Sequence, residues 1–205
     1  SYVSQFNASV TRDTRDNLMS PTSGYLVNLS AANAMKIIGS SNNFYRLEGK
    51  GIYFFSFFDK FLICHVGAKM GTIANYDYGK DVPLYERYFL GGGDSLRGFK
   101  YRSVSPYDGA GHAYGGQSML LVTAEVTHPI YKFIRGAAFV DAGSAWSRPF
   151  SYGFSKMNVG VGYGLRIKVP YLNAPVKLDL AYPVVQGQCD EKRKLRFHFN
   201  MGFTW

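Results

Sequence analysis

The stretch LRFHFNMGFTW, residues 195–205, decides the fold. Every second residue in it is apolar: Leu195, Phe197, Phe199, Met201, Phe203 and Trp205. The residues between them are Arg196, His198, Asn200, Gly202 and Thr204. An unbroken period of two predicts a β-strand with one apolar face and one polar face.

The same alternation recurs through the chain. It predicts nine strands, near residues 2–13, 25–36, 43–56, 61–73, 115–127, 134–143, 157–168, 175–183 and 194–205. Most of them are longer than the ~5–6 residues typical of soluble sheets. They match the ~9–11 residues of a tilted strand that crosses a membrane. We therefore predict an all-β, antiparallel transmembrane β-barrel.

The connections between the strands alternate between short and long. The longest covers about residues 74–114. Membrane barrels carry short periplasmic turns and long outer loops in this order. Counting strands places residues 21–24 and the end of the chain on the periplasmic side. Nine is an odd number, whereas single-chain bacterial barrels have an even number from eight upward. We interpret residues 1–205 as the C-terminal part of a larger barrel.

A soluble β-sandwich or lipocalin-like barrel is the alternative fold, and two patterns disfavour it. The apolar faces end in aromatic residues, where a membrane barrel has its interfacial girdles; these are Tyr25, Tyr53, Phe55, Tyr182, Phe203 and Trp205. The opposite faces carry charged side chains in mid-strand, which is typical of a polar lumen.

Charge and cysteine content limit the classes of function that the chain can have. The net charge is +9, but outside the short run at residues 192–194 the basic residues are dispersed, which disfavours nucleic-acid binding. Cys64 and Cys189 lie far apart without CxxC spacing, and the four histidines are scattered. We expect no metal, no cofactor and no nucleotide site.

Four stretches resemble one family. They are LYERYFLGGGDSLRGFKYRSVSP (84–106), TRDNLMSPTSGYLVNLS (14–30), FVDAGSAW (139–146) and FHFNMGFTW (197–205). In the order just given, they resemble the family's sixth outer loop with its (V/I/L)RG(F/Y) motif, its "TRDN…PTSG" turn, its aromatic-x-Asp-x-Gly strand and its aromatic-ended final strand. This combination is similar to the Omp85 superfamily and, within it, to the BamA-type insertases. The motif has Leu96 where Val is commoner.

The resemblance implies a sixteen-stranded barrel in the bacterial outer membrane, of which these are the last nine strands. The upstream strands and the periplasmic POTRA repeats would then be absent from this chain. The implied partners are unfolded outer-membrane β-barrel substrates, outer-membrane lipid including lipopolysaccharide where present, and accessory lipoproteins.

The loop motif Leu96, Arg97, Gly98 and Phe99 is the first candidate site. A guanidinium offers five donors in a fixed fork that suits carboxylates. Alternation directs two acids into the lumen, Glu125 and Asp141, and the resemblance implies the same partners. Whether Arg97 meets one or both stays open, and an exposed loop arginine is the alternative. A phosphate cradle is disfavoured because no Lys-Ser/Thr follows the glycines.

The final strand is the second candidate site, with Phe197, Phe199, Gly202, Phe203 and Trp205 as its residues. An exposed strand edge can template an incoming strand. The resemblance implies that this strand borders a lateral gate. The alternative is an ordinary barrel strand.

Three functions remain to be compared. The first is an outer-membrane protein insertase that works through this seam without nucleotide. The second is an Omp85-type two-partner secretion translocator or another outer-membrane pore. The third is an enzyme that uses Glu125 and Asp141 as an acid pair, which we disfavour because no histidine is grouped with a nucleophile.

Overall fold

A computed structural model describes residues 4–35, 40, 43–77, 81–168, 175–187 and 192–202. Its nine strands are β1 (Gln5–Asp13), β2 (Gly24–Ala34), β3 (Phe44–Phe57), β4 (Leu62–Asn75), β5 (Ser118–Tyr131), β6 (Ile134–Trp146), β7 (Asn158–Ile167), β8 (Val176–Val185) and β9 (Arg196–Met201). Two single-turn 3₁₀ helices, Leu84–Glu86 and Phe154–Lys156, lie in the connections. Within these described ranges, no helix is long and apolar enough to cross a membrane.

The strands form one antiparallel sheet in chain order, from β1 to β9. Each strand pairs with its neighbours in sequence, so the all-β antiparallel architecture is confirmed. In the described part of the chain β1 and β9 do not pair with each other, so the barrel is not closed. We call the end of the sheet with the short turns, such as residues 58–61 and 132–133, the turn end, and the opposite end the loop end.

The predicted strand bounds need correction at several ends. β5 begins at Ser118 instead of 115 and continues to Tyr131 instead of 127, because the register shifts between Pro129 and Tyr131 and accommodates the proline. β6 continues beyond 143 to Trp146, which pairs with Ser118. β9 covers only Arg196–Met201 of the predicted 194–205, and residues 203–205 lie outside the described residues. The remaining strand ends differ from the prediction by a few residues at most.

The two faces of the sheet differ as the alternation predicts. On β9, Phe197 and Phe199 are each 62% exposed on the outer face. Such outward apolar side chains suit contact with lipid. The inner face holds buried polar groups, among them Thr123, Glu125 and Asp141.

The connection between β4 and β5 packs against the inner face of the sheet. Its apolar side chains form a core with strand residues; the members include Leu90, Leu96, Phe99 and Val104 from the connection and Ile73, Met119 and Leu121 from β4 and β5. Isolated bridges join Tyr88 to Gly116 and Leu90 to Val104, so the connection has internal structure of its own. The core of this chain therefore lies on the lumen side, between the loop and the wall.

Candidate functional site

Arg97 makes a two-pronged ion pair with β6. Its Nε donates to Asp141 Oδ2 over 2.6 Å, and its Nη2 donates to Asp141 Oδ1 over 2.8 Å. The backbone N–H of Arg97 also donates to Asp141 Oδ2, at 3.2 Å. Paired N–H···O bonds of this geometry are the strongest arginine–carboxylate contacts. Arg97 is 7% exposed and Asp141 1% exposed, so the pair is shielded from water.

Two further carboxylates approach the same guanidinium. Nη1 of Arg97 donates to Glu125 Oε2 on β5 over 2.9 Å and lies 3.4 Å from Asp179 Oδ2 on β8. Arg166 on β7 contacts both acids from the other side: Nη2 to Glu125 Oε2 at 2.7 Å and Nη1 to Asp179 Oδ1 at 2.5 Å. These five side chains form the lumen ion network: Arg97, Glu125, Asp141, Arg166 and Asp179. Each acid in it has a cationic partner, as buried charges require.

Neutral groups complete the surroundings of Arg97. Thr123 donates its hydroxyl to Asp141 Oδ1 at 2.5 Å and accepts from Nη2 of Arg97 at 3.3 Å. The guanidinium carbon lies 3.4 Å from the centroid of the Phe139 ring, a cation–π stack. The fork, the hydroxyl and the ring fix the plane of the guanidinium.

The residues around Arg97 hold the loop tip in place by packing. Leu96 and Phe99 are 0% and 1% exposed. Gly98 has φ +91°, and a side chain there would lie 3.2 Å from the Tyr182 carbonyl carbon, so glycine is required. On the wall, a Cβ at Gly160 would lie 2.1 Å from the Arg97 carbonyl oxygen. Glycine at Gly160 therefore opens the space that the loop backbone occupies.

The loop tip also contacts the final strand. The backbone N–H of Gly98 donates to Nε2 of His198 on β9 over 3.0 Å. Asn200, two residues further on the same face, donates to Asp94 of the loop. The loop is thus attached to β9 as well as to β5–β8.

The structure brings together the predicted loop motif and both predicted lumen acids. Arg97 contacts both Glu125 and Asp141, and Asp179 is a third acid near it that was not assigned from the sequence. Sequence reasoning also missed Arg166, Thr123 and His198 as partners. Alternation places Asp179, Arg166, Thr123 and His198 on the lumen face. Alternation identifies a face, however, and not a partner.

The predicted gate residues are described only in part. Phe197 and Phe199 point outward, and Gly202 follows β9 with φ +115°. Phe203 and Trp205 lie outside the described residues. Among the described residues, no group of three or more His, Cys, Asp or Glu side chains is placed to hold a metal ion.

The Omp85 superfamily domain matches residues 2–205 of the sequence. The chain belongs to the Omp85 superfamily. This Omp85 chain is 28% identical to the outer membrane protein assembly factor BamA of Neisseria meningitidis over 95% of its own length and 28% of the relative. It is also 28% identical to BamA of Nitratidesulfovibrio vulgaris, over 94% of this chain and 24% of that protein. A SAM50-like protein of Schizosaccharomyces pombe is 30% identical over 94% of the chain and 43% of its own length.

Two solved structures share the fold. BamA from Haemophilus ducreyi lacking POTRA domains 1–3 superposes with a TM-score of 0.76 and 21% identity, over 95% of this chain and 41% of that one. CdiB from Acinetobacter baumannii gives a TM-score of 0.62 and 14% identity, over 97% of this chain and 33% of that one. The Omp85 chain spans about a quarter of the length of its two BamA relatives. The family and the two BamA relatives identify the chain as part of a β-barrel of the bacterial outer membrane, similar to the barrel of BamA.

Proposed function

We propose that this Omp85 chain is the loop-bearing C-terminal part of the barrel of an outer-membrane protein insertase. The curated relatives named as assembly factors support this assignment. The observation that carries it is the double attachment of the loop. Arg97 is held by the lumen ion network, and Gly98 and Asp94 contact β9. A loop attached in this way controls the position of the strand at the open edge.

The proposed mechanism uses the edge of β9 as a template. Among the described residues, β9 pairs with β8 through six residue pairs, from Val176↔Met201 to Ala181↔Arg196. Its other edge presents backbone N–H and C=O groups that an incoming strand can pair with. Phe197 and Phe199 face the lipid side at this seam, and Gly202 follows β9. The folding free energy of the incoming barrel drives insertion, and no nucleotide is consumed.

The full-length protein supplies the remaining parts of this proposal. Upstream strands would bring the barrel to sixteen, and POTRA repeats would receive substrates in the periplasm. Its partners would be unfolded outer-membrane β-barrel proteins, the surrounding lipid including lipopolysaccharide, and accessory lipoproteins. None of its steps requires a catalytic residue, so we propose that the protein is not an enzyme.

A two-partner secretion translocator is the second candidate. The observation that favours it is the shared fold with CdiB, which has a TM-score of 0.62. In a translocator the loop would open a route through the lumen, and β9 would stay paired.

Reconstitution of the full-length protein into liposomes separates the two candidates. An insertase accelerates the folding of an unrelated outer-membrane barrel added from outside, as measured by its heat-resistant migration on a gel. Arg97→Ala would reduce that acceleration, and Lys100→Ala, an exposed change in the same loop, would not. Ion conductance without any acceleration of folding would contradict the insertase and support the pore.

A further inference from the structure

Further basic residues lie on the inner wall between the lumen ion network and the turn end, next to Arg166. Arg135 on β6 lies directly opposite Arg166 on β7, and Arg166 lies directly opposite Lys177 on β8. Like charges in directly opposed positions destabilise a sheet unless anions neutralise them. Glu125 and Asp179 neutralise Arg166, but both acids are already shared with Arg97.

Arg135 has no carboxylate partner among the described residues. It donates to the Thr127 hydroxyl at 3.2 Å, the Thr127 carbonyl at 3.0 Å and the Phe61 carbonyl at 2.9 Å, all neutral acceptors. Lys132 and Lys168, which are exposed at the same end, also take no part in the ion pairs between described residues. Positive charge therefore exceeds negative charge at this end of the wall.

A cavity of about 220 Å³ opens between these cations. Six basic residues line it, Arg15, Lys132, Arg135, Arg166, Lys168 and Lys177, whereas Glu125 is the one acid among the described lining residues. Its other walls are mostly apolar and include Ile52, Phe54, Ile63 and Phe133, with Ser20, His65 and Thr127 as the polar members. The lining thus combines an apolar floor with a cationic rim.

We infer that this cavity, which we call the turn-end cavity, binds an acidic polypeptide segment that also carries an aromatic side chain. The carboxylates would pair with Arg135, Lys132 and Lys168, and the aromatic ring would enter the apolar floor. Arginine and lysine at a rim with aliphatic walls below match both parts of such a segment.

Two features favour a polypeptide over a membrane lipid. The cavity faces the lumen, so the whole thickness of the sheet separates it from the lipid-facing side chains. Its volume is also below the ~300–1,000 Å³ of sites that enclose a whole small molecule. A space of that size accepts one side chain of a longer chain, which continues through the open lumen.

The inference goes beyond the proposed function, because peptide binding can be measured without any insertion assay. Full-length protein in lipid nanodiscs is titrated with the peptide Asp-Phe-Asp-Phe, blocked at both ends and carrying an uncharged fluorophore. The readout is fluorescence anisotropy at low and high salt. We expect saturable binding that weakens as salt screens the rim. The isosteric peptide Asn-Phe-Asn-Phe should bind at least about tenfold more weakly, since its contacts lack charge.

Variants locate the site. Lys132→Gln with Lys168→Gln changes two exposed side chains and should weaken the acidic peptide about tenfold without affecting the fold. Arg135→Gln should weaken it further. The matched control is Lys156→Gln with Lys194→Gln, which removes two exposed charges outside the cavity and should leave binding unchanged.

Three results would overturn the inference. One is the absence of saturable peptide binding to the full-length protein, as expected if its other strands neutralise the rim. Another is equal loss of affinity in the control and in the rim variants. The third is failure of the peptide to bind while short-chain phosphatidylglycerol binds and is lost in Lys132→Gln with Lys168→Gln, which would assign the cavity to a lipid phosphate. If the full-length protein binds the peptide but does not accelerate barrel folding, the inference is supported and the proposed function is refuted.

Discussion

Replacement of Arg97 by alanine removes the only contribution of the loop to the lumen ion network. Asp141 then loses its cationic partner and keeps only the Thr123 hydroxyl as a donor among its described side-chain contacts. Glu125 and Asp179 retain Arg166. Truncating one partner of a buried ion pair costs about 3–5 kcal/mol, because the other charge is left buried and uncompensated. At 1.4 kcal/mol for each factor of ten, the equilibrium for loop release shifts by about 10²- to 10⁴-fold.

Hydrogen exchange measures this shift directly. Inside the loop, the backbone N–H groups of Leu90 and Val104 each donate to the carbonyl of the other at 2.9 Å. These amide hydrogens therefore exchange with solvent only when the loop opens. Their protection should fall by about 10²-fold or more in Arg97→Ala. Amides in the middle of β3 and β4 should keep their protection, since those strands do not contact Arg97.

Two controls make the result specific. Lys100→Ala removes an exposed cation from the same loop and should leave exchange unchanged. Arg97→Ala combined with Asp141→Asn should recover part of the protection, because it removes the uncompensated carboxylate. Wild-type protection of Leu90 and Val104 in Arg97→Ala would refute the argument that the ion network holds the loop.

Three further predictions follow from the loop tip and the first turn. Gly98→Ala should destabilise the docked loop by about 1–2 kcal/mol, the cost of a left-handed residue with a Cβ, and exchange of the Leu90 amide should report it. His198→Ala should leave the buried Gly98 N–H without its acceptor, which costs about 1–3 kcal/mol, and should speed exchange in β9 more than in β8; equal rates would contradict the attachment. In the turn before β2, the Thr22 hydroxyl and backbone N–H bonds lower the pKa of Asp16 to about 2. The contribution of this carboxylate to stability is therefore complete above its ordinary pKa of 3.8 and is lost as pH falls through about 2. Carboxyl NMR of the wild type and of Thr22→Val should show a higher pKa of Asp16 in the variant.

The sequence was sufficient for the architecture because period two is present in most strands, although it is lost at the loop ends of β4 and β6, where four consecutive residues are buried. It failed at strand ends where chemistry and pattern disagree. Pro129 argues against a strand, yet β5 continues past it through a register shift. Ion pairing was predicted in part. Alternation put Glu125 and Asp141 on the lumen face, but the position of each side chain along the barrel axis depends on strand register.

Arg166 and His198 show a different limit of sequence reasoning. Arg166 is a cation, and like charges do not predict neighbours, yet the acids that it shares with Arg97 bring the two side chains together. The partner of His198 is a backbone N–H 100 residues away, and no pattern of side chains in the sequence reports such a bond.

The position of the loop is specified by two kinds of interaction that fail independently. Leu96 and Phe99 supply burial, which holds the loop against the wall but does not select a register, since hydrophobic contact is non-directional. Arg97 supplies direction, because its fork fits Asp141 only in one plane and at one height. Without Arg97, Asp141 has no cationic partner among the described residues, and Glu125 and Asp179 share the guanidinium of Arg166; with Arg97, each carboxylate has a cationic partner. The empty lumen is therefore electrostatically incomplete, and the wall itself favours the docked loop. Because the same loop tip contacts His198 and Asn200, we expect that release of the loop also removes these two contacts from the strand at the open edge of the barrel.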